Sequence, residues 1–195
     1  MFKIYENSND NIVNNLVMAL KAVENYYLKQ NYNRIHLGVQ KPERIFTAEL
    51  YHQLRILQKD KNLHFSADII KKSYDVNPNS CIKLKDFKRI SPDIVLHKEQ
   101  NDTNPNNQLL VCEIKMEGAS HKKIIKDFYK LLYYKISKLK FNTSAFIFTG
   151  SIETINKILS NNLELTNCIR EHKIIAICLE NVDTDNSKWI KYVIN

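Results

Sequence analysis

The chain has 195 residues, 44% hydrophobic and 26% charged, with 29 Lys and Arg against 21 Asp and Glu, a formal charge of +8 and a pI near 9.2. These values suit one folded domain that buries roughly two thirds of its unfolded surface, and no apolar run approaches the ~18 residues of a membrane span. Glycines stand only at 38, 118 and 150, so neither GxGxxG nor GxxxxGK[ST] can be written, and GxSxG is absent; this argues against a nucleotide cofactor and against a serine-hydrolase elbow.

Residues 10–29 carry Ile12, Leu16, Leu20, Val23 and Tyr27 on one helical face, which predicts a helix. A second helix is expected over 43–58, with Phe46, Leu50, Leu54 and Leu57 as its stripe and Pro42 at its start. Strand-like pieces follow at 67–76 and, more weakly, at 82–85. The clearest strands are PDIVLH (92–97) and QLLVCEIKM (108–116), and the polar stretch KEQNDTNPNN between them predicts an antiparallel hairpin with an extended tip. A long helix over 119–140 turns Ile124, Phe128, Leu131, Leu132 and Leu139 inward. A buried strand (144–150), a helix (151–162) and two closing strands (173–180 and 188–194) complete the order. The expected fold class is α/β, a mixed central sheet flanked by helices, in a single domain spanning 1–195 without internal repeats.

Cysteines at 81, 112, 168 and 178 form no CxxC pair, and the six histidines fall in no metal-ligand pattern, so neither a disulfide framework nor a zinc site is expected. The opening MFKIYENSND lacks the basic end and apolar stretch of a signal peptide, which sets the expected location in the cytoplasm, away from membrane. The positive charge favours a polyanionic partner, since lysines that neutralise phosphates release condensed counterions. A Lys- and Asn-rich composition accounts for the same excess without a partner.

Three D/E-x-K triplets occur: Asp86/Lys88, Glu113/Lys115 and Glu171/Lys173. Context separates them. Glu113 and Lys115 lie in the most hydrophobic strand of this half, and strand alternation points both to one face. A carboxylate and an ammonium in such a strand need partners. The preceding strand opens with Pro92-Asp93, so Asp93 can lie across the hairpin from Glu113. Two carboxylates this close repel, and a hard divalent cation such as Mg2+ relieves the repulsion.

On these residues the chain resembles the PD-(D/E)XK nuclease superfamily, the restriction-endonuclease-like fold. Ser91 to Leu96 matches its PD strand, and Val111 to Met116 its (D/E)XK strand. The resemblance covers about 43–150 and implies an αβββαβ core. Glu49, on the helix before the sheet, matches a glutamate that many members contribute, with Glu43 as a rival. Lys130 and Tyr134 fall where several subfamilies carry QxxxY, with lysine replacing the glutamine. The resemblance implies that Asp93, Glu113 and the Ile114 carbonyl ligate Mg2+, with Mn2+ able to substitute, and that Glu49 adds a direct or water-mediated contact. Lys115 would then orient or deprotonate the attacking water. Lys130 could hold a neighbouring phosphate, and the lysines of the following helix, Lys122 and Lys123 among them, would form a phosphate rail. The implied activity is phosphodiester hydrolysis, with DNA the expected substrate; a homodimer would suit double-strand cleavage.

Plainer readings stand beside each residue. Glu113 and Lys115 also fit a solvated strand face, Pro92-Asp93 a turn, Lys130 a solvated lysine and Tyr134 packing. Two other functions compete: a nucleic-acid-binding module without catalysis, and a partner-binding scaffold.

Overall fold

The structure, a computed structural model, describes residues 2–5, 10–28, 42–67, 71–72, 89–98, 104–180 and 188–194. The elements in chain order are β1 (Phe2–Ile4), α1 (Asn11–Ala22), α2 (Asn25–Leu28), α3 (Pro42–Leu57), β2 (His64–Ala67), β3 (Lys71–Lys72), β4 (Arg89–Ile90), β5 (Ile94–His97), β6 (Gln108–Lys115), α4 (His121–Ile136), β7 (Thr143–Phe148), α5 (Ile152–Ser160), α6 (Leu163–Glu171), β8 (Ile175–Glu180) and β9 (Lys188–Ile194).

Among the described residues the strands form a seven-stranded mixed sheet in the order β1-β9-β8-β7-β6-β5-β2, with β3 and β4 paired separately. Strands β6, β7 and β8 run parallel, and the flanking pairs run antiparallel. The α/β class and the flanked mixed sheet match expectation. Alternation along the strands divides the core in two. Val95, Val111, Phe146, Phe148 and Cys178 pack toward α4, α5 and α6. Ile94, Leu96, Cys112, Ile114 and Ile147 pack on the other face, with Leu16 and Leu20 of α1 and Phe46 and Leu50 of α3. Period-two strands with both faces covered read as continuous apolar runs, which is why β6 to β8 stand out in the sequence.

Several elements depart from the sequence expectation. The helix expected over 10–29 stops at Ala22, where Val23 turns to extended backbone (ψ 120°) and keeps its side chain buried. Of the strand expected at 67–76, the described residues are Ala67, the last residue of β2, and Lys71–Lys72 of β3, the rest lying outside them; β2 itself starts at His64, and its Phe65 faces Leu96 across the ladder. The weak strand at 82–85 lies outside the described residues. Helix α4 is shorter than expected and ends at Ile136, followed by Ser137 in extended backbone and Lys140 at a positive φ of 45°. Strand β1 and helix α6 were not anticipated. Leu165, Cys168 and Ile169 bury the inner face of α6 at helical spacing, while Asn161 and Asn162 separate it from α5. No helix among the described residues is long and apolar enough to cross a membrane. Cys112, Cys168 and Cys178 are buried and form no disulfide among the described residues.

Phe128 of α4 stacks on Phe146 of β7 with ring centroids 4.5 Å apart, joining the helix to the centre of the sheet. Phe146→Ala is expected to destabilise the fold by about 3–5 kcal/mol, measured by chemical denaturation.

Candidate active site

The antiparallel register of β5 on β6 pairs Ile94 with Cys112 and so carries Asp93 to the level of Glu113. The Asp93 amide donates to the Cys112 carbonyl at 3.2 Å, and Asp93 Oδ2 accepts from the Ile114 amide at 2.7 Å. Asp93 thus closes the hairpin with its backbone and its side chain. Asp93, Glu113 and Lys115 share the pleat parity of Val95 and Val111, which pack toward α4. The end of β6 is fixed by Thr149: its amide donates to the Lys115 carbonyl at 3.1 Å, and its hydroxyl accepts from the Glu117 amide at 2.8 Å.

Glu113 is wholly buried, and Lys115 is only 8% exposed. Helix α4 supplies their partners. Lys130 Nζ lies 2.7 Å from Glu113 Oε2 and 3.0 Å from Asp127 Oδ1. Lys115 Nζ lies 3.0 Å from Asp127 Oδ2 and 3.1 Å from Glu43 Oε1, and it donates to the Ile114 carbonyl at 2.7 Å. Four carboxylates (Glu43, Asp93, Glu113 and Asp127) therefore surround two ammonium groups, a formal deficit of two positive charges. Glu113 Oε1 is buried with no hydrogen-bond partner among the described residues.

The electrostatics follow from this crowding. Burial pushes the Asp93 carboxyl up from its ordinary 3.8 to about 6, against the hydrogen bond from Ile114 and the two lysines. Burial likewise raises Glu113 well above the usual carboxylate range, aided by the charges of Asp93 and Asp127 and opposed by Lys130. Burial alone would lower Lys115 and Lys130. The carboxylates outweigh it, Asp127 and Glu43 at Lys115, Glu113 and Asp127 at Lys130, and hold both ammonium groups above their ordinary value.

The structure brings together Asp93, Glu113, Lys115 and Lys130. It does not bring Glu49 to them: the Glu49 carboxylate accepts from Gln53 Nε2 at 2.6 Å and makes no ion pair among the described residues. The motif carboxylates face α4, whereas α3 packs on the opposite face of the sheet. Only the first turn of α3 reaches round the strand ends, and that turn carries Glu43. Lys122 and Lys123 are exposed on the first turn of α4. Tyr134 is fully buried, edge-on to Phe141 at a centroid distance of 6.0 Å, and its hydroxyl has no hydrogen-bond partner among the described residues.

Asp127 was absent from the sequence reading. Its signal lay in the helix pattern, an aspartate three residues after Ile124 and four before Leu131, inside the apolar stripe.

The donors are of the hard-oxygen kind, the Asp93 and Glu113 carboxylates and the Ile114 carbonyl, of which Glu113 Oε1 is unpartnered while the carbonyl accepts from Lys115 and Asp93 Oδ2 from the Ile114 amide. Among the described residues no group of three or more His, Cys, Asp or Glu side chains is arranged to hold a metal ion. Mg2+ is commonly held by one or two carboxylates with waters and substrate phosphates, and the register sets two, Asp93 and Glu113, side by side. Comparison with protein-family models, curated proteins and solved structures yields no match.

Because the folded state raises the Asp93 pKa, its contribution to stability is fully present below about pH 4 and is lost as pH rises through about 6. Above that, the buried charge opposes folding by up to about 3 kcal/mol. In metal-free buffer, Asp93→Asn is expected to melt several degrees above wild type at pH 8 and alongside it at pH 4, as read by thermal unfolding.

Proposed function

We propose that the chain is a metal-dependent nuclease of the restriction-endonuclease-like fold, hydrolysing phosphodiester bonds in nucleic acid, with DNA the expected substrate. The observation that carries this reading is the convergence of Asp93, Glu113 and Lys115, from two paired strands, into one buried cluster with too few positive charges to balance it. A divalent cation supplies the missing charge. Within the seven-stranded sheet, with β3 and β4 paired apart from it, the order α3, β2, β5, β6, α4, β7 supports the reading, since it follows the expected sequence of a helix, three strands, a helix and a strand.

Asp93, Glu113 and the Ile114 carbonyl would hold the ion, which polarises the scissile phosphate and lowers the pKa of a bound water. Lys115 Nζ would orient that water or take part in its deprotonation, and would offset charge growing on the phosphate. Glu43, 3.1 Å from Lys115, would take the place expected of Glu49 as the carboxylate from α3. Lys130 would keep the second oxygen of Glu113 neutralised. Lys122, Lys123 and Lys126 are exposed along the first turns of α4, which contain no acidic residue in the first turn and where the helix dipole is itself positive. Phosphates on either side of the cut would lie against them.

A second reading, a nucleic-acid-binding module without catalysis, is favoured by one observation: both site lysines already pair with carboxylates. Metal binding separates the two. Wild type is expected to bind Mn2+ in calorimetry and to cleave at least one of plasmid, single-stranded DNA and RNA. Lys115→Ala should slow cleavage by about 100- to 10,000-fold, and Asp93→Ala should abolish Mn2+ binding. Nucleic-acid affinity that falls steeply with salt yet ignores Mn2+ and Asp93→Ala would establish the binding module instead.

A further inference from the structure

We propose that Asp127 is the positioning residue of this site, a single buried carboxylate that holds the ammonium groups of Lys115 and Lys130 beside the phosphate-cleaving centre; the catalytic part of this inference rests on the nuclease reading above. Asp127 is 3% exposed and stands on the inner face of α4 with Ile124, Phe128 and Leu131. Each of its oxygens forms an ion pair with a different lysine, Oδ2 at 3.0 Å from Lys115 Nζ and Oδ1 at 3.0 Å from Lys130 Nζ, the Oδ2 contact being one of charge rather than of hydrogen-bond geometry. Among the described residues it is the one carboxylate that pairs with both.

The two lysines come from different elements, Lys115 from the end of β6 and Lys130 from the middle of α4. A lysine side chain gives up about 2 kcal/mol of rotamer entropy when held in one geometry. Glu43 contacts Lys115 from the helix on the far face, and its side chain is 34% exposed, a weak anchor. Glu113 contacts Lys130 but, in the nuclease reading, must also serve the cation. Asp127 is free of both limits. It is buried, and it stands on a helix stacked to the sheet through Phe128 and Phe146. Its placement keeps Lys130 on Glu113 Oε2 and leaves Oε1 open. It also fixes the distance between the two ammonium groups, and small misplacements of a catalytic group carry large losses of rate.

The test is Asp127→Asn, which keeps the volume and one acceptor but removes the charge. Its fold is checked by circular dichroism. Heteronuclear NMR of lysine ammonium groups, assigned with Lys115→Arg and Lys130→Arg, is expected to show slowly exchanging signals from both lysines in wild type and neither in Asp127→Asn. With Mn2+, the folded variant is expected to lose at least tenfold in kcat, with KM and the Mn2+ Kd each within threefold of wild type. A purely structural role would lower the melting temperature and leave kcat of the folded protein intact. Persistence of both ammonium signals in Asp127→Asn, or an unchanged kcat, overturns the inference. Loss of both signals in a protein whose wild type neither binds Mn2+ nor cleaves would uphold the positioning role and reject only the nuclease reading.

Discussion

Glu113 has no solvent exposure, and the expense of burying its charge shapes everything around it. A buried carboxylate favours its protonated form, and Glu113 is held well above the usual carboxylate range even with Lys130 beside it. Here the strand pleat turns Asp93 and Lys115 to the same side, and α4 brings Lys130 and Asp127 against them. The apolar framework of sheet and helix supplies the rigidity, and the ionic cluster sets which helix face must meet which strand face. Breaking one partner of such a cluster is far more damaging than the net worth of the pair, because the other charge is left stranded.

The cluster also ties the consecutive elements β6 and α4 to α3, which lies far from them in sequence. Lys115 meets the first turn of α3 through Glu43 and the middle of α4 through Asp127, so the two helix layers touch ionically around the strand ends. Elsewhere the sheet separates them into two apolar cores. A change felt by one layer at the site therefore has a direct route to the other.

Much of this was legible in the sequence, and the reasons are local. The β5–β6 hairpin announced itself through apolar runs around a polar tip, and strand alternation was enough to place Asp93, Glu113 and Lys115 on one side. What alternation along one strand does not say is which helix lies over that side. That depends on how the chain crosses the sheet, a long-range property, and it is why Glu49 looked suitable while Glu43 makes the contact. Asp127 was hidden for a different reason. A single acid in a lysine-rich helix reads as surface unless its position is counted against the apolar stripe. Helix α6 was passed over because its stripe is short and diluted by Asn and Thr, whereas its tertiary contacts bury Leu165, Cys168 and Ile169.

Phe2 pairs with Ile194, a ladder contact between residues 192 positions apart. Closing a loop of that length carries a large entropic penalty before any contact rewards it. Strand β1 has its partner only in β9, whereas β9 pairs with β8 in a hairpin as local in sequence as that of β5 and β6. Until β1 is in place, β9 presents an open ladder of backbone donors and acceptors, a template for unwanted strand pairing between chains. The charged cluster lies toward the other edge, on strands β5 and β6, whose hairpin is local in sequence and quick to form. The charged cluster thus sits on locally paired strands, while the contact that covers the far edge of the sheet joins Phe2 to Ile194.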